Sequence, residues 1–245
     1  MQGLKGKIII VTGGSGLLGK KIIEYLDKKG AICINFDLKK NSEKSKFVFC
    51  DITSKDSVDQ AFQQVLNVYS VVDGLVNNAY PRTDDWGKKF EDIELGSWKQ
   101  NVEWQLNSYF YLAQQVSRYM IIEKAGSIVN IASIYGVVAP DFGVYKGTNM
   151  TMPAAYSAIK GGVISLSRYL CSYLGKYNIR VNSVSPGGVF DGQNSNFVDQ
   201  YVSKVPLGRM CKTEDIVPLI SFLLSDESCY ISGQNICVDG GWTSI

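Results

Sequence analysis

Apolar residues fall along this chain in two alternating rhythms. Short apolar runs rich in β-branched residues at 8–11, 32–37, 47–51, 72–76, 127–131, 179–185 and 235–238 read as strands. Between several of them lie longer stretches whose apolar side chains recur three and four positions apart. These predict helices over 53–67, 98–122, 154–176 and 214–224, and an earlier one carries Leu18, Ile22, Ile23 and Leu26 until Gly30 closes it. Strands alternating with helices predict βαβ units, and runs apolar on both faces, such as 128–131, fit parallel strands covered on both sides. Right-handed crossovers then give an α/β fold with a doubly wound parallel sheet of about seven strands. No internal boundary, repeat or low-complexity tract interrupts the pattern, so residues 1–245 are read as one domain. The least regular segments, 80–90, 136–153 and 187–206, all follow predicted strands at their carboxyl ends, where open α/β sheets bind ligands.

Composition narrows the chemistry. With 25 Lys+Arg against 23 Asp+Glu the net charge is +2, and no block of like charge favours nucleic acid or an anionic membrane. Histidine is absent, which removes Ser-His and Cys-His nucleophile pairs and imidazole metal sites. The six cysteines are scattered without C-x-x-C or metal-ligand spacing, so no metal is expected and a reducing cytoplasm is the natural setting. Residues 1–7 lack the apolar stretch of a signal peptide, and no run approaches the roughly 18 continuous apolar residues of a membrane span. Acid/base work must fall to Tyr, Lys, Asp, Glu or Cys.

The loop from Thr12 to Gly19, TGGSGLLG, joins the first strand to the first helix. Glycine there permits a tight turn and close backbone approach to a diphosphate, and the helix amino terminus supplies free N–H groups. Asp37 closes the second strand about 20 residues further on, where a carboxylate can accept from the ribose hydroxyls and would repel a 2′-phosphate. This points to NAD; Lys39 and Lys40 beside it leave NADP open.

Tyr156 and Lys160, four positions apart, lie on one face of the helix predicted from 154, one turn apart. An ammonium beside a phenol favours phenolate, so Tyr156 is a candidate acid/base, its pKa to be drawn down from about 10 by Lys160 together with the nicotinium charge of an oxidised cofactor. Ser133 ends the strand at 127–131, at the same carboxyl edge, where its hydroxyl can hold a carbonyl or alcohol. Each alone has a plainer reading, as strand cap, core aromatic and surface lysine.

Taken together, these features resemble the short-chain dehydrogenase/reductase family over essentially the whole chain. The resemblance is carried by TGGSGLLG at 12–19, Asp51 after the third strand, NNA at 77–79, Asn107 in the long helix, IAS at 131–133, YSAIK at 156–160, PG at 186–187 and VDGG at 238–241. It implies a Rossmann fold and hydride transfer between a nicotinamide and a secondary alcohol or ketone. By resemblance, the cofactor is held by Gly13, Ser15, Gly16, Leu17, Leu18 and Gly19 in the glycine loop, with Asp37. Asp51, Ile52, Asn78 and Ala79 frame the adenine side, and Pro186, Gly187 and Val189 lie by the nicotinamide. Lys160 grips the nicotinamide ribose, Tyr156 exchanges the alcohol proton, and Asn107 holds a relay water linked to the lysine. The resemblance also implies a homo-oligomer, dimer or tetramer, packed through the helix at 154–176 and the one bearing Asn107.

Three departures surround the expected substrate: Tyr80 stands where the family usually has glycine after NNA, the Ser133–Tyr156 gap is extended, and the usual threonine after PG is missing. Within the family, NNAYPR at 77–82, YKGT at 145–148, MPAAYSAIKGG at 152–162 and PGGVFDGQ at 186–193 resemble the bacterial oxidoreductases of the flagellin-modification A type. That implies a small-molecule substrate, an amino sugar or sugar phosphate in the making of nonulosonic, legionaminic-type acids for surface glycans. Arg82 and Lys146 are the candidate grips for its anionic group, and Tyr80 and Tyr145 the candidate flat faces for a sugar ring. The segment 187–206, with Phe190 and Phe197, is expected to close as a lid. A 3-oxoacyl-acyl-carrier-protein reductase is the rival enzyme, against which Asp37 and the balanced charge weigh; a silent NAD-binding sensor is the other rival, against which the retained Ser133, Tyr156 and Lys160 weigh.

Overall fold

The computed structural model describes residues 3–40 and 46–245. Seven strands, β1 (Ile8–Thr12), β2 (Ile32–Asp37), β3 (Lys46–Phe49), β4 (Gly74–Asn77), β5 (Gly126–Ile131), β6 (Ile179–Pro186) and β7 (Asn235–Val238), form one sheet in the order β3-β2-β1-β4-β5-β6-β7. Every pairing is parallel. The single-domain, doubly wound fold read from the sequence is therefore the observed one.

The helices are α1 (Leu17–Lys28), α2 (Lys55–Tyr69), α3 (Leu95–Val102), α4 (Ser108–Glu123), α5 (Ala154–Leu174), α6 (Ser195–Val202) and α7 (Thr213–Leu224). One sheet face takes the apolar stripes of α2, α4 and α5, where Phe62, Val116 and Leu170 meet Ile10, Ile34 and Ile128. The opposite face takes α1 and α7, where Ile22, Leu26 and Ile220 meet Ile9, Val11 and Val129. Burial on both faces explains why the central strands are continuously apolar. The strand order reverses between β1 and β4, the place where a crevice opens at the carboxyl edge of such a sheet.

A buried polar chain ties that edge together. Asn77 Nδ2 donates to Asn130 Oδ1 at 2.9 Å, and Asn130 Nδ2 donates to Ser167 Oγ at 2.9 Å, hooking α5 to β5 and β4. In a low-dielectric interior such satisfied bonds fix register as well as adding stability.

Two elements differ from the sequence reading. The helix expected over 98–122 is two helices joined by a π turn, Glu103–Asn107, whose buried Gln105 sends its Nε2 to Pro81 O at 2.8 Å. The segment 187–206 contains α6, capped by Asn194 Oδ1 accepting from Asn196 N at 3.0 Å, with Phe197 and Tyr201 buried on one side. Its flanking glycines and prolines hid an eight-residue helix.

Ile128 is fully buried at the centre of β5. Ile128→Ala is expected to destabilise the protein by about 2–5 kcal/mol through lost transfer free energy and a residual cavity. Urea unfolding checks this, and an unchanged midpoint would show that the sheet face is not close-packed there.

Candidate active site

Local backbone constraints shape the first half of the site. Gly13 turns with φ +63° and a Cβ on it would stand 2.8 Å from Ala79 Cα; a Cβ on Gly19 would stand 2.0 Å from Gly13 O. Only glycine lets the β1–α1 loop, the β4 edge and the helix start approach this closely. Helix α1 begins at Gly16 without a side-chain cap, so its first N–H groups and positive dipole end face outward. Thr12 Oγ1 accepts from both Asn78 N and Ala79 N at 3.0 Å, joining the ends of β1 and β4.

These parts border a cavity of about 680 Å³, of the size a cofactor requires. Gly13, Ser15, Gly16, Leu17 and Leu18 line one wall, and Asp37, Asp51, Ile52, Asn78 and Ala79 line others. Gly19 is buried in the first turn of α1 behind this wall and acts through close packing. Asp37 accepts from Ser15 N at 2.9 Å and from Leu38 N at 2.7 Å, so its carboxylate bridges the glycine loop and the β2 end. Asp51 Oδ1 accepts from Thr53 N at 2.9 Å and Thr53 Oγ1 at 2.7 Å. Leu38, Lys39, Cys50 and Thr53 also line the cavity, and Tyr80, Pro81 and Arg82 close its inner end. The glycine cradle, the uncapped helix start and the carboxylate at the β2 end suit a dinucleotide.

The second half is built on β5 and α5. Ser133 follows β5, buried, and its Oγ accepts from Tyr135 N at 3.2 Å. Tyr156 and Lys160 occupy successive turns of α5, as their spacing requires, and the Ser133 hydroxyl is near enough to Tyr156 to act on its phenol. Lys160 Nζ donates to Ile131 O at 2.7 Å and lies 5.6, 5.6 and 5.7 Å from the ring centroids of Tyr80, Tyr109 and Tyr156. The three predicted relay residues are thus brought to one place.

Their electrostatics are set by burial. In the protein alone, burial pushes the Tyr156 phenol above its ordinary range, against the opposing hydrogen bond of Ser133. Burial also brings the Lys160 ammonium down to about 7. A neighbouring lysine does not by itself deliver a phenolate when both groups leave water together.

Four expectations are corrected by placement. Asn107 is exposed at the end of the π turn and donates to the Glu103 carboxylate. Gln105, two positions earlier, is the buried amide of that turn, and its Oε1 has no protein partner. Tyr145 is no open platform: its ring is buried and stacked on Phe197 at 5.3 Å. The lid segment is partly anchored, since Tyr201 Oη accepts from Gly188 N at 2.6 Å and stacks on Trp242 at 4.4 Å. Lys146 is exposed, its carbonyl accepting from Gln200 Nε2 at 2.8 Å, whereas Arg82 lies at the cavity with its guanidinium 5.9 Å from the Tyr80 ring centroid. Pro186 ends β6; Gly187 N donates to Val238 O at 2.9 Å, and Val189 bridges to Cys211.

A contact that the sequence did not announce is the aromatic wall over the phenol. Tyr80 and Trp86 meet the Tyr156 ring edge-to-face, at 5.7 and 6.3 Å. The replacement of glycine by Tyr80 after NNA was its only visible signal.

Comparison with known proteins places this geometry in a class. A family model described as enoyl-(acyl carrier protein) reductase matches residues 19–243. Post-translational flagellin modification protein A of Campylobacter coli is 34% identical, over 98% of this chain and 99% of its own length. A 3-oxoacyl-[acyl-carrier-protein] reductase of Thermotoga maritima is 31% identical, over 97% and 98%. A short-chain dehydrogenase from Leptospira borgpetersenii serovar Hardjo-bovis, solved with bound NAD+, superimposes with TM-score 0.90 at 34% identity, covering 98% of this chain and 94% of that one. The chain belongs to the short-chain dehydrogenase/reductase family and is an oxidoreductase of that family.

The lowered Lys160 value has a measurable linkage. Its folded pKa, about 7, lies below the ordinary lysine value of 10.5, so above pH 7 the unfolded chain binds more protons at this site. Wild-type stability measured against Lys160→Met is therefore expected to gain by up to about 1.4 kcal/mol per pH unit between pH 7 and 9. Denaturant midpoints across that window check it; a flat difference would mean that the ammonium stays hydrated.

Proposed function

We propose that this oxidoreductase uses NAD to interconvert a secondary alcohol and a ketone on an anionic sugar, with Tyr156 as the acid/base. The observation that carries the reading is the convergence of Ser133, Tyr156 and Lys160 beside a glycine-cradled cavity bordered by Asp37. When bound, the nicotinamide supplies the acceptor or donor of the hydride. Gly13, Gly16 and the α1 amino terminus take the diphosphate, Asp37 the adenosine ribose, and Asp51 and Ile52 border the adenine. The segments 80–90, 136–153 and 187–206 surround the substrate side.

Ser133 orients the substrate oxygen, and Tyr156 moves the proton at that oxygen. Burial holds the phenol protonated, the state that donates to a developing alkoxide during ketone reduction. In the reverse step, a charged Lys160 favours removal of the alcohol proton. With the lysine near 7, its charge is poised around neutrality.

The sugar assignment rests on the 34% identity to flagellin modification protein A and on Arg82 at the cavity, where a guanidinium can grip phosphate or carboxylate. Turnover of amino-sugar phosphates and nucleotide sugars, set against an acetoacetyl thioester, separates this reading from a carrier-protein reductase.

Two substitutions test the chemistry. Tyr156→Phe is expected to lower kcat by about a thousandfold or more with NAD binding retained; residual activity within tenfold of wild type overturns the assignment. Asp37→Ala is expected to narrow an initial preference for NAD over NADP, read as the ratio of kcat/KM values. A wild-type preference for NADP would mean that Lys39 outweighs the carboxylate.

A further inference from the structure

Tyr80 lies at a crossing of contacts that the acid/base reading does not use. Its ring stands edge-on to Tyr156 at 5.7 Å and to Trp86 at 5.7 Å, and the Lys160 ammonium lies 5.6 Å from its centroid. A cation within about 6 Å of a ring centroid is attracted by the π quadrupole, more strongly where water is excluded. Among the described residues Lys160 is the one charged side chain in the buried interior, and its ammonium donates to a neutral carbonyl, Ile131 O. Three tyrosine rings complete its surroundings. Tyr156 is the reacting group and Tyr109 is fixed by its Oη donating to Ala79 O at 3.1 Å, so Tyr80 is the member supplied by a loop. That loop is itself held: Gln105 Nε2 bonds Pro81 O, and Asn101 Oδ1 accepts from Thr83 N at 3.2 Å.

We propose that Tyr80 is a positioning residue for proton transfer: its ring fixes the Lys160 ammonium and the Tyr156 phenol in one mutual geometry and favours the charged lysine. The proposal rests on the reading of Tyr156 and Lys160 as the acid/base pair. The ring's role differs from that of a carboxylate, because it supports positive charge without competing for the ammonium's hydrogen bond.

The groups that act on this pair come from three neighbouring elements. They are Tyr80 from the loop after β4, with Arg82 on that ring, Tyr109 from α4, and Ser133, Tyr135 and Tyr145 from the chain after β5; Asp141 in that last segment acts on Tyr135 and is paired with Lys204. None that acts directly on Tyr156 or Lys160 is a carboxylate, so loss of a ring face is not masked by a counter-charge on the pair.

The test is the titration of Lys160 in cofactor-free protein, followed by NMR of protein carrying ¹³Cε-lysine, with the resonance assigned through Lys160→Gln. Tyr80→Leu, which keeps an apolar side chain but removes the π face, is expected to lower the apparent pKa of Lys160 by about half to one unit. Tyr80→Phe is expected to titrate as wild type. Tyr80 is 38% exposed, so neither change empties the core, and Tyr80→Met gives a second non-aromatic variant. In turnover, Tyr80→Leu is expected to lower kcat about five- to tenfold at unchanged KM for NAD, with the rising limb of alcohol oxidation moved to higher pH and with Tyr80→Phe restoring both.

A Lys160 titration unchanged or raised in Tyr80→Leu and Tyr80→Met overturns the proposal, as does a Tyr80→Phe variant that behaves like Tyr80→Leu. Should Tyr156→Phe remain active, the acid/base reading falls, while the NMR titration still reports whether the ring holds the ammonium.

Discussion

A lysine ammonium buried without a carboxylate is the constraint around which this site is organised. Leaving water disfavours charge by several pKa units in such surroundings, and the protein answers with one carbonyl, Ile131 O, and a ring of tyrosines. A carboxylate would hold the lysine charged at all physiological pH and would repel the phenolate that the chemistry needs. The neutral surroundings leave the ammonium adjustable by whatever binds next to it. The same burial dries Tyr156, so the two groups proposed as the acid/base pair share one electrostatic fate.

The scaffold holds this arrangement through bonds that run across the sheet edge. Thr12 joins β1 to β4, Asn77 and Asn130 join β4 to β5, and Ser167 brings α5 to the same line. The Asn77–Asn130 and Asn130–Ser167 bonds are buried, so shifting α5 along its axis would break a bond in the interior before it moved Tyr156. The glycine-cradled cavity and the Tyr156–Lys160 pair are therefore tied to one scaffold, whereas α6 and its flanking loops pack as a separate aromatic cluster around Tyr201 and Trp242.

Periodicity carries far in this sequence because the sheet is parallel and two-sided: each strand is an apolar run and each helix shows a single stripe. The seven strands were all legible, with boundaries displaced by one or two residues where turns are polar, as at β4. Ser133, Tyr156 and Lys160 were legible because strand-end position and helical spacing alone put them together. What escaped depended on features that spacing does not encode. The π turn looks like unbroken helix in a hydrophobic pattern, so the pattern did not show that Asn107, whose role came from the resemblance, is exposed while Gln105 is the buried amide. Tyr145 looks like a loop aromatic until α6, itself hidden among glycines, supplies Phe197 to cover it. Charge state escaped as well, because desolvation is a property of the whole enclosure rather than of a pair.

The widened turn at Glu103–Asn107 has a consequence for how this chain can vary in length. An α-helix advances about 100° per residue, so one residue added or removed there would rotate everything after it by that angle relative to the sheet. Tyr109, now directed at Ala79 O and Lys160, would give up its place to a neighbour, and the outward Phe110 or the half-covered Tyr111 would swing with it. A stretch that passes for ordinary helix therefore works as an angular index, and its residue count is held as tightly as the identity of any group in the site.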